Sequence, residues 1–185
     1  IGINLPNASW IRANYGSKSV SIDNLSHAYS EAAKGNGFNE EFVIDEATRQ
    51  LMDKYGVICS DLHTDLHECV GHGSGKLMPG VSKTSLKEHA STIEEARADL
   101  FGLYYLADNK LVEIGLMPKD AYQAGYYQQM MNGLMTQLVR IEPGKDIEES
   151  HMRDRALIAN WVYEHATNKE VEIIERDGKS YLKVN

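Results

Sequence analysis

Apolar residues recur along most of the chain at intervals of three and four, the spacing that gathers them on one helix face. The two ends differ. Ile1-Gly2-Ile3-Asn4-Leu5-Pro6-Asn7 alternates apolar and polar positions and then meets a proline, which cannot sit in a central strand, so an edge strand is expected over residues 1–9. Ile22, Leu25, Ala28, Tyr29 and Ala32 predict a helix from about Ser21 to the Gly35-Asn36-Gly37 stop. Phe42, Val43, Ala47, Leu51 and Met52 predict another from about Asn39 to Tyr55, ended by Gly56, with Ser60 or Asp61 capping the next. Residues 76–90 are polar around Pro79-Gly80 and read as a loop. Ser91-Thr92-Ile93-Glu94 has the form of a capping box and opens a helix to about Lys110. Long amphipathic helices follow over about Lys119–Arg140 and Ile147–Thr167, separated by Pro143-Gly144. The chain closes on two β-rich runs flanking Asp177-Gly178, a hairpin signal over residues 170–185.

The expected third helix carries His67-Glu68-Cys69-Val70-Gly71-His72, two imidazoles around a carboxylate. Neutral ring nitrogens can hold zinc, and a carboxylate beside them can act as the base that activates water. In the common zincin pattern the histidines lie at i and i+4, about 40° apart around the helix. Here they lie at i and i+5, about 140° apart on an ideal helix, too far round for both to reach one ion. A one-residue π-bulge absorbs the extra residue, with Gly71 supplying backbone freedom and Gly73-Ser74-Gly75 ending the helix. A catalytic zinc needs a third protein ligand. Glu95 is the leading candidate, on the following helix, with Asp99 and Gly102 on its face. His63 and His67 form a rival i, i+4 pair, but Thr64 rather than glutamate follows His63, so a hydrogen-bonding role suits His63 better.

Charge narrows the function classes. Nineteen basic against 27 acidic residues give a net charge of −8, which argues against a nucleic-acid surface and suits cations or peptide amino termini. No run approaches the roughly 18 apolar residues of a membrane span. The two cysteines, Cys59 and Cys69, match no zinc-finger or disulfide framework and are expected to be small buried hydrophobes. Length fits one domain over 1–185, with a helical zinc-binding region over 20–167. The first residue is Ile1, and the expectation is an excised piece of a longer chain, cytoplasmic in its compartment.

Taken together, the first motif with Gly73-Ser74-Gly75-Lys76 and the second run Glu94-Glu95-Ala96-Arg97-Ala98-Asp99 resemble the dipeptidyl peptidase III family of zinc exopeptidases. The resemblance extends to Gly2-Ile3-Asn4-Leu5-Pro6-Asn7 and His151-Met152-Arg153-Asp154-Arg155. It implies one zinc per chain on His67, His72 and Glu95, with Glu68 activating the water. It also implies that Glu94 and Asp99 support the two histidines, and that His151 stabilises the oxyanion. Asn4 and Asn7 on the edge strand would hold the peptide amino terminus, and Arg155 would contact substrate. Ala96 stands where the family often has cysteine, and Asp99 is one methylene shorter than glutamate.

The expected fold is therefore mainly α, a helical zinc-binding lobe of a zincin-like metallopeptidase with an N-terminal edge strand and a C-terminal hairpin. The expected activity is zinc-dependent release of dipeptides from the amino end of short peptides. A second lobe of the same polypeptide is the expected partner, without which the 185 residues would hydrolyse little. The residues alone leave two other readings open. One is a non-catalytic peptide-binding or scaffold lobe with a structural zinc, and the other is a metal hydrolase of a non-peptide bond.

Overall fold

The structure is a computed structural model and describes residues 2–6, 8–135, 141–142 and 144–185. Strand β1 (Gly2–Leu5) leads into helix α1 (Ser9–Tyr15), strand β2 (Lys18–Ser21), and helices α2 (Asp23–Ala33), α3 (Phe38–Phe42) and α4 (Glu46–Leu66). A π-helical segment, His67–His72, continues α4 without a break, and a 3-10 turn, Lys83–His89, precedes helix α5 (Ala90–Leu106). Helices α6 (Asn109–Glu113), α7 (Tyr122–Leu134) and α8 (Ser150–His165) then lead to strands β3 (Val171–Arg176) and β4 (Lys179–Val184). The fold is the mainly helical one expected, with strands confined to its ends.

The helices pack around two apolar clusters on either side of α7. Met52, Tyr127, Met130, Met131 and Ala159 join α4, α7 and α8, and Val171 and Leu182 carry the same cluster into the C-terminal hairpin. Cys59, Leu106, Leu111 and Ala124 form the second cluster, between α4, α5, α6 and α7. The hairpin is docked at two further points. Tyr127 Oη donates to the Leu182 carbonyl at 2.6 Å, and Val43 bridges to Leu182 in parallel. Its turn has positive φ at both Asp177 (53°) and Gly178 (75°), as a two-residue hairpin of the right twist requires.

Several boundaries differ from the pattern. The break expected at Gly56 falls instead at residues 43–45, where the Asp45 side chain accepts the Thr48 N–H at 2.8 Å and caps α4. Gly56 stays helical, because α7 packs onto it: a Cβ there would meet Gln128 Nε2 at 2.5 Å. Ser60 and Asp61 accordingly lie inside α4 and cap nothing. The expected Ser91 box is also absent, since the 3-10 turn feeds directly into α5 and leaves Ser91 within the helix. The reciprocal box belongs to Ser82 and Ser85 at the start of that turn. Helix α5 ends at Leu106, after which Asp108 caps α6. The stripe expected of α2 buries none of its residues, with Leu25 and Tyr29 exposed. The ends expected at Arg140 and Pro143 lie outside the described residues.

At the amino end β1 is not alone. It pairs antiparallel with β2, Gly2 opposite Ser21 through Leu5 opposite Lys18, a partner that the alternation of residues 1–7 did not reveal. Its other edge has no strand partner among the described residues.

Gly71 matters for a reason other than backbone freedom. A Cβ there would lie 2.8 Å from Ala98 Cα and 2.9 Å from the Ala98 carbonyl oxygen. The π segment and α5 therefore touch backbone to backbone. Gly71→Ala is expected to destabilise the chain by about 1–3 kcal/mol in chemical denaturation, as overpacking does. Adding Ala98→Gly should not rescue it, because the Cα and carbonyl contacts remain; recovery in the double variant would refute this account.

Candidate metal centre

The π segment does to the histidines what the i, i+5 spacing demanded. His67 and His72 converge, with their Nε2 atoms 3.0 Å apart and their rings edge to face at 86°. Glu95, from the second turn of α5, brings Oε2 to 3.2 Å from His72 Nε2 and 3.3 Å from His67 Nε2. Tetrahedral zinc at about 2.0–2.1 Å from each of three donors would hold them roughly 3.3 Å apart. The three residues fit such an ion, and among the described residues they form the group of metal-binding type with one ligand atom each within 4.8 Å.

Each ring is held from behind. His67 Nδ1 donates to Asp99 Oδ1 at 2.7 Å, and His72 Nδ1 donates to Glu94 Oε1 at 3.0 Å. Glu94 is itself gripped by Arg97, whose Nη2 donates to the same oxygen at 2.7 Å. With Nδ1 engaged by a carboxylate, each Nε2 is the nitrogen turned toward the partner donors, which is the orientation a metal ligand needs. Gln129 Nε2 donates to the other oxygen of Asp99 at 3.3 Å.

The electrostatics follow from this crowding. Burial disfavours charge on His67, yet the Asp99 and Glu95 carboxylates overcome it and raise its pKa to about 9. Glu94 and Glu95 raise His72 to about 9 as well. His151 reaches about 9 through its contact with Glu95. Burial would push Glu94 up, but His72 and Arg97 hold it down at about 2. Glu95 is likewise lowered against its burial by His151, His67 and His72.

The site opens onto a cleft of about 340 Å³. Its walls include Asn4, Glu68, Glu95 and His151. Glu68 is buried beneath β1, where a Cβ on Gly2 would meet Glu68 Cγ at 2.5 Å. Asn4 Nδ2 donates to the Glu68 carbonyl at 3.1 Å and to Ser19 Oγ at 2.9 Å, fastening the strand over the motif. His151 Nε2 lies 3.2 Å from Glu95 Oε2, and its ring stacks near His67. Arg155 does not line the cleft; its Nε lies 3.9 Å from Asp99 Oδ2. Asn7 lies outside the described residues. His63 takes the hydrogen-bonding place expected, with Nε2 3.3 Å from the Asp99 carbonyl oxygen. Of the cysteines, Cys59 is buried as expected but Cys69, within the π segment, is exposed and not the buried hydrophobe its residue type suggested.

Three residues near the site were assigned no role by the sequence. The Arg12 guanidinium donates to the His72 carbonyl from α1, across 60 residues of chain. Gln129 and Asp154 are polar side chains buried around Asp99, and only interruption of the apolar face of their helices hinted at either.

Residues 1–87 match the profile of peptidase family M49. The chain is 26% identical over 191 residues to dipeptidyl peptidase 3 of Nematostella vectensis, covering 85% of the chain and 25% of that protein. It is 25% identical over 192 residues to dipeptidyl peptidase 3 of Mus musculus, with the same coverage. Among solved structures, DPP III from Caldithrix abyssi superposes with a TM-score of 0.69 at 25% identity, over 100% of this chain and 33% of that one. The chain is a relative of the dipeptidyl peptidase III family. This M49 relative spans about a quarter of the length of the curated proteins it matches. Among the described residues, no helix is long and apolar enough to cross a membrane.

The raised imidazoles and lowered carboxylates set a stability optimum for the metal-free chain. The histidines stabilise fully below their ordinary value of 6.5, and that contribution is lost as pH rises through about 9. Glu94 stabilises above its ordinary 4.5, and that contribution is lost as pH falls towards about 2. In chelator, Tm is expected to be highest between pH 4.5 and 6.5 and to fall towards pH 9; a Tm that climbs over pH 7–9 would contradict this charge arrangement.

Proposed function

We propose that this chain is the zinc-binding lobe of a metallopeptidase that releases dipeptides from the amino end of short peptides. The reading rests on one arrangement: three donors of zinc type converge in a cleft that also holds the buried Glu68 and lies along a strand edge. The match of residues 1–87 to the M49 peptidase profile supports it, and the names of the similar proteins suggest the dipeptide specificity. A second lobe of the same polypeptide would close the cleft.

Zinc, when bound, supplies a Lewis acid that acidifies water and polarises a carbonyl. His67, His72 and Glu95 would hold it, with Asp99 and Glu94 fixing the ring orientations through Nδ1 so that each Nε2 is turned to the ion. Glu68 takes a proton from the attacking water and returns it to the leaving amine. The open edge of β1 accepts the extended peptide by backbone hydrogen bonds, and Asn4, with Asn7, binds near its amino terminus. His151 donates to the developing oxyanion once its hydrogen bond to Glu95 is released. Arg155 contributes a cationic substrate contact. The net charge of −8 favours approach of a cationic peptide terminus.

Metal analysis of the purified 185-residue chain tests the ligand set. One zinc per chain is expected, and Glu95→Ala should weaken binding at least 10- to 100-fold, the loss typical even of outer partners. Full loading of the Glu95→Ala chain would remove Glu95 from the set.

Glu68→Gln tests the catalytic reading in a polypeptide that carries both lobes. Zinc should remain bound while dipeptide release falls by about 10²–10⁴-fold, the usual scale for a general base. Undiminished turnover would assign Glu68 a structural place only, as in a scaffold lobe.

A further inference from the structure

The two imidazoles of the metal centre are held in unlike ways. His67 leans on Asp99, which is 2% exposed and fixed by its burial. His72 leans on Glu94, whose side chain is 43% exposed. A long, flexible carboxylate so placed has rotamer freedom and water to draw it away, so burial alone does not fix the oxygen that meets His72. Another group has to do for Glu94 what burial does for Asp99.

Arg97, one turn further along α5, is placed to do so. Its Nη2 donates to Glu94 Oε1 at 2.7 Å and its Nε to Glu94 Oε2 at 3.0 Å, a two-pronged contact that sets the plane of the carboxylate as well as its distance. The same Oε1 takes the His72 Nδ1 contact at 3.0 Å. The guanidinium is itself enclosed. Its central carbon lies over the Phe101 ring, 5.7 Å from the centroid, and Nη1 donates to Ser74 Oγ at 3.4 Å. Ser74 Oγ donates in turn to the Gly71 carbonyl at 3.0 Å. Gly75 has φ +85°, and a Cβ there would sit 3.3 Å from Arg97 Nη1, so the glycine turn that follows His72 closes directly against the arginine. The turn and α5, which approach the ligand from separate parts of the chain, therefore meet at one side chain.

We propose that Arg97 is a positioning residue for His72, acting through Glu94: its fork fixes the carboxylate that orients the ring, and the Gly73-Ser74-Gly75 turn fixes the fork. The role needs the geometry of the guanidinium and not positive charge alone. A lysine ammonium at this position is a point charge that can hold one oxygen but cannot set the plane of both. The effect is confined to His72, because His67 takes its orientation from Asp99 instead. The glycine run that ends the motif thus has a second use, in packing against the group that steadies the ligand before it.

The consequence for zinc rests on the ligand reading above, whereas the hold of Arg97 on the ring is a property of the chain alone, and the experiment separates the two. In the metal-free chain, the nitrogen–proton correlation spectrum of the imidazoles should show the His72 Nδ1 resonance displaced in both Arg97→Gln and Arg97→Lys, with that of His67 unmoved. Zinc affinity, read by competition with a chromophoric chelator, should fall about 10-fold in each variant. In a Glu94→Ala background the same Arg97 changes should add no further loss, since the residue through which they act is gone. Wild-type zinc affinity or an unmoved His72 resonance in Arg97→Lys overturns the proposal in favour of charge alone. Additive losses in the Glu94→Ala background overturn it as well, and so does displacement of both imidazoles together, the mark of a general loosening of α5. Should Arg97→Gln fail to fold, Arg97→Lys, which keeps the charge and most of the side-chain volume, carries the test. A wild-type chain that takes up no zinc would sink the ligand reading, while the two resonances would still decide the role of Arg97.

Discussion

The site depends on a backbone contact. Gly71 and Ala98 bring the π segment and α5 so close that no side chain fits between them at that point. This places the Nδ1 atoms of His67 and His72 within 2.7–3.0 Å of carboxylates on α5, and their Nε2 atoms beside Glu95. The three acidic residues that contact the histidines, Glu94, Glu95 and Asp99, sit within six positions of one helix. A displacement of α5 by one ångström would lengthen each of these bonds together. The packing of helices and the chemistry of the site are therefore one constraint, set at a glycine.

The surrounding architecture serves to hold that contact in place. Helix α4 runs into the π segment without a cap, so the histidines inherit the rigidity of a 21-residue helix anchored in both apolar clusters. Helix α5 is held from behind by α7 and α8, which also supply Gln129 and Asp154 to Asp99. From the open side, β1 lies across Glu68 and is fastened by Asn4, while Arg12 grips the His72 carbonyl. The C-terminal hairpin is remote from the cleft and completes the core through Leu182.

A run of acidic and imidazole groups this dense would repel or neutralise itself if solvated separately. Here each charge has an assigned partner. Glu94 stands between His72 and Arg97, Glu95 between three imidazoles, and Asp99 between His67 and Gln129. The metal-free centre is consequently a proton-holding cluster, and a divalent ion entering it would displace protons from the imidazoles. That exchange couples metal binding to pH through the residues that position the ligands.

The amino-acid sequence by itself determined the local chemistry. Two histidines five apart around a glutamate, followed by an acidic helix, specified both a set of donors of metal-binding type and the need for an irregular turn, because an ideal helix cannot converge an i, i+5 pair. The Asp177-Gly178 turn was equally legible, since its demand for positive φ is written in residue type. What tertiary structure decided was everything that depends on close approach between distant segments. Gly56 read as a stop and proved to be a packing site, because glycine signals equally a break and a missing side chain. Ser91 read as a cap, but the 3-10 turn before it had already begun the helix, which freed Glu94 to face His72. The pairing of β1 with β2, the grip of Arg12 on His72 and the burial of Asp154 against Asp99 span 13 to 60 residues or more of chain, beyond the reach of any local pattern. Periodicity records which side of an element is apolar; only the packed molecule determines what that side meets.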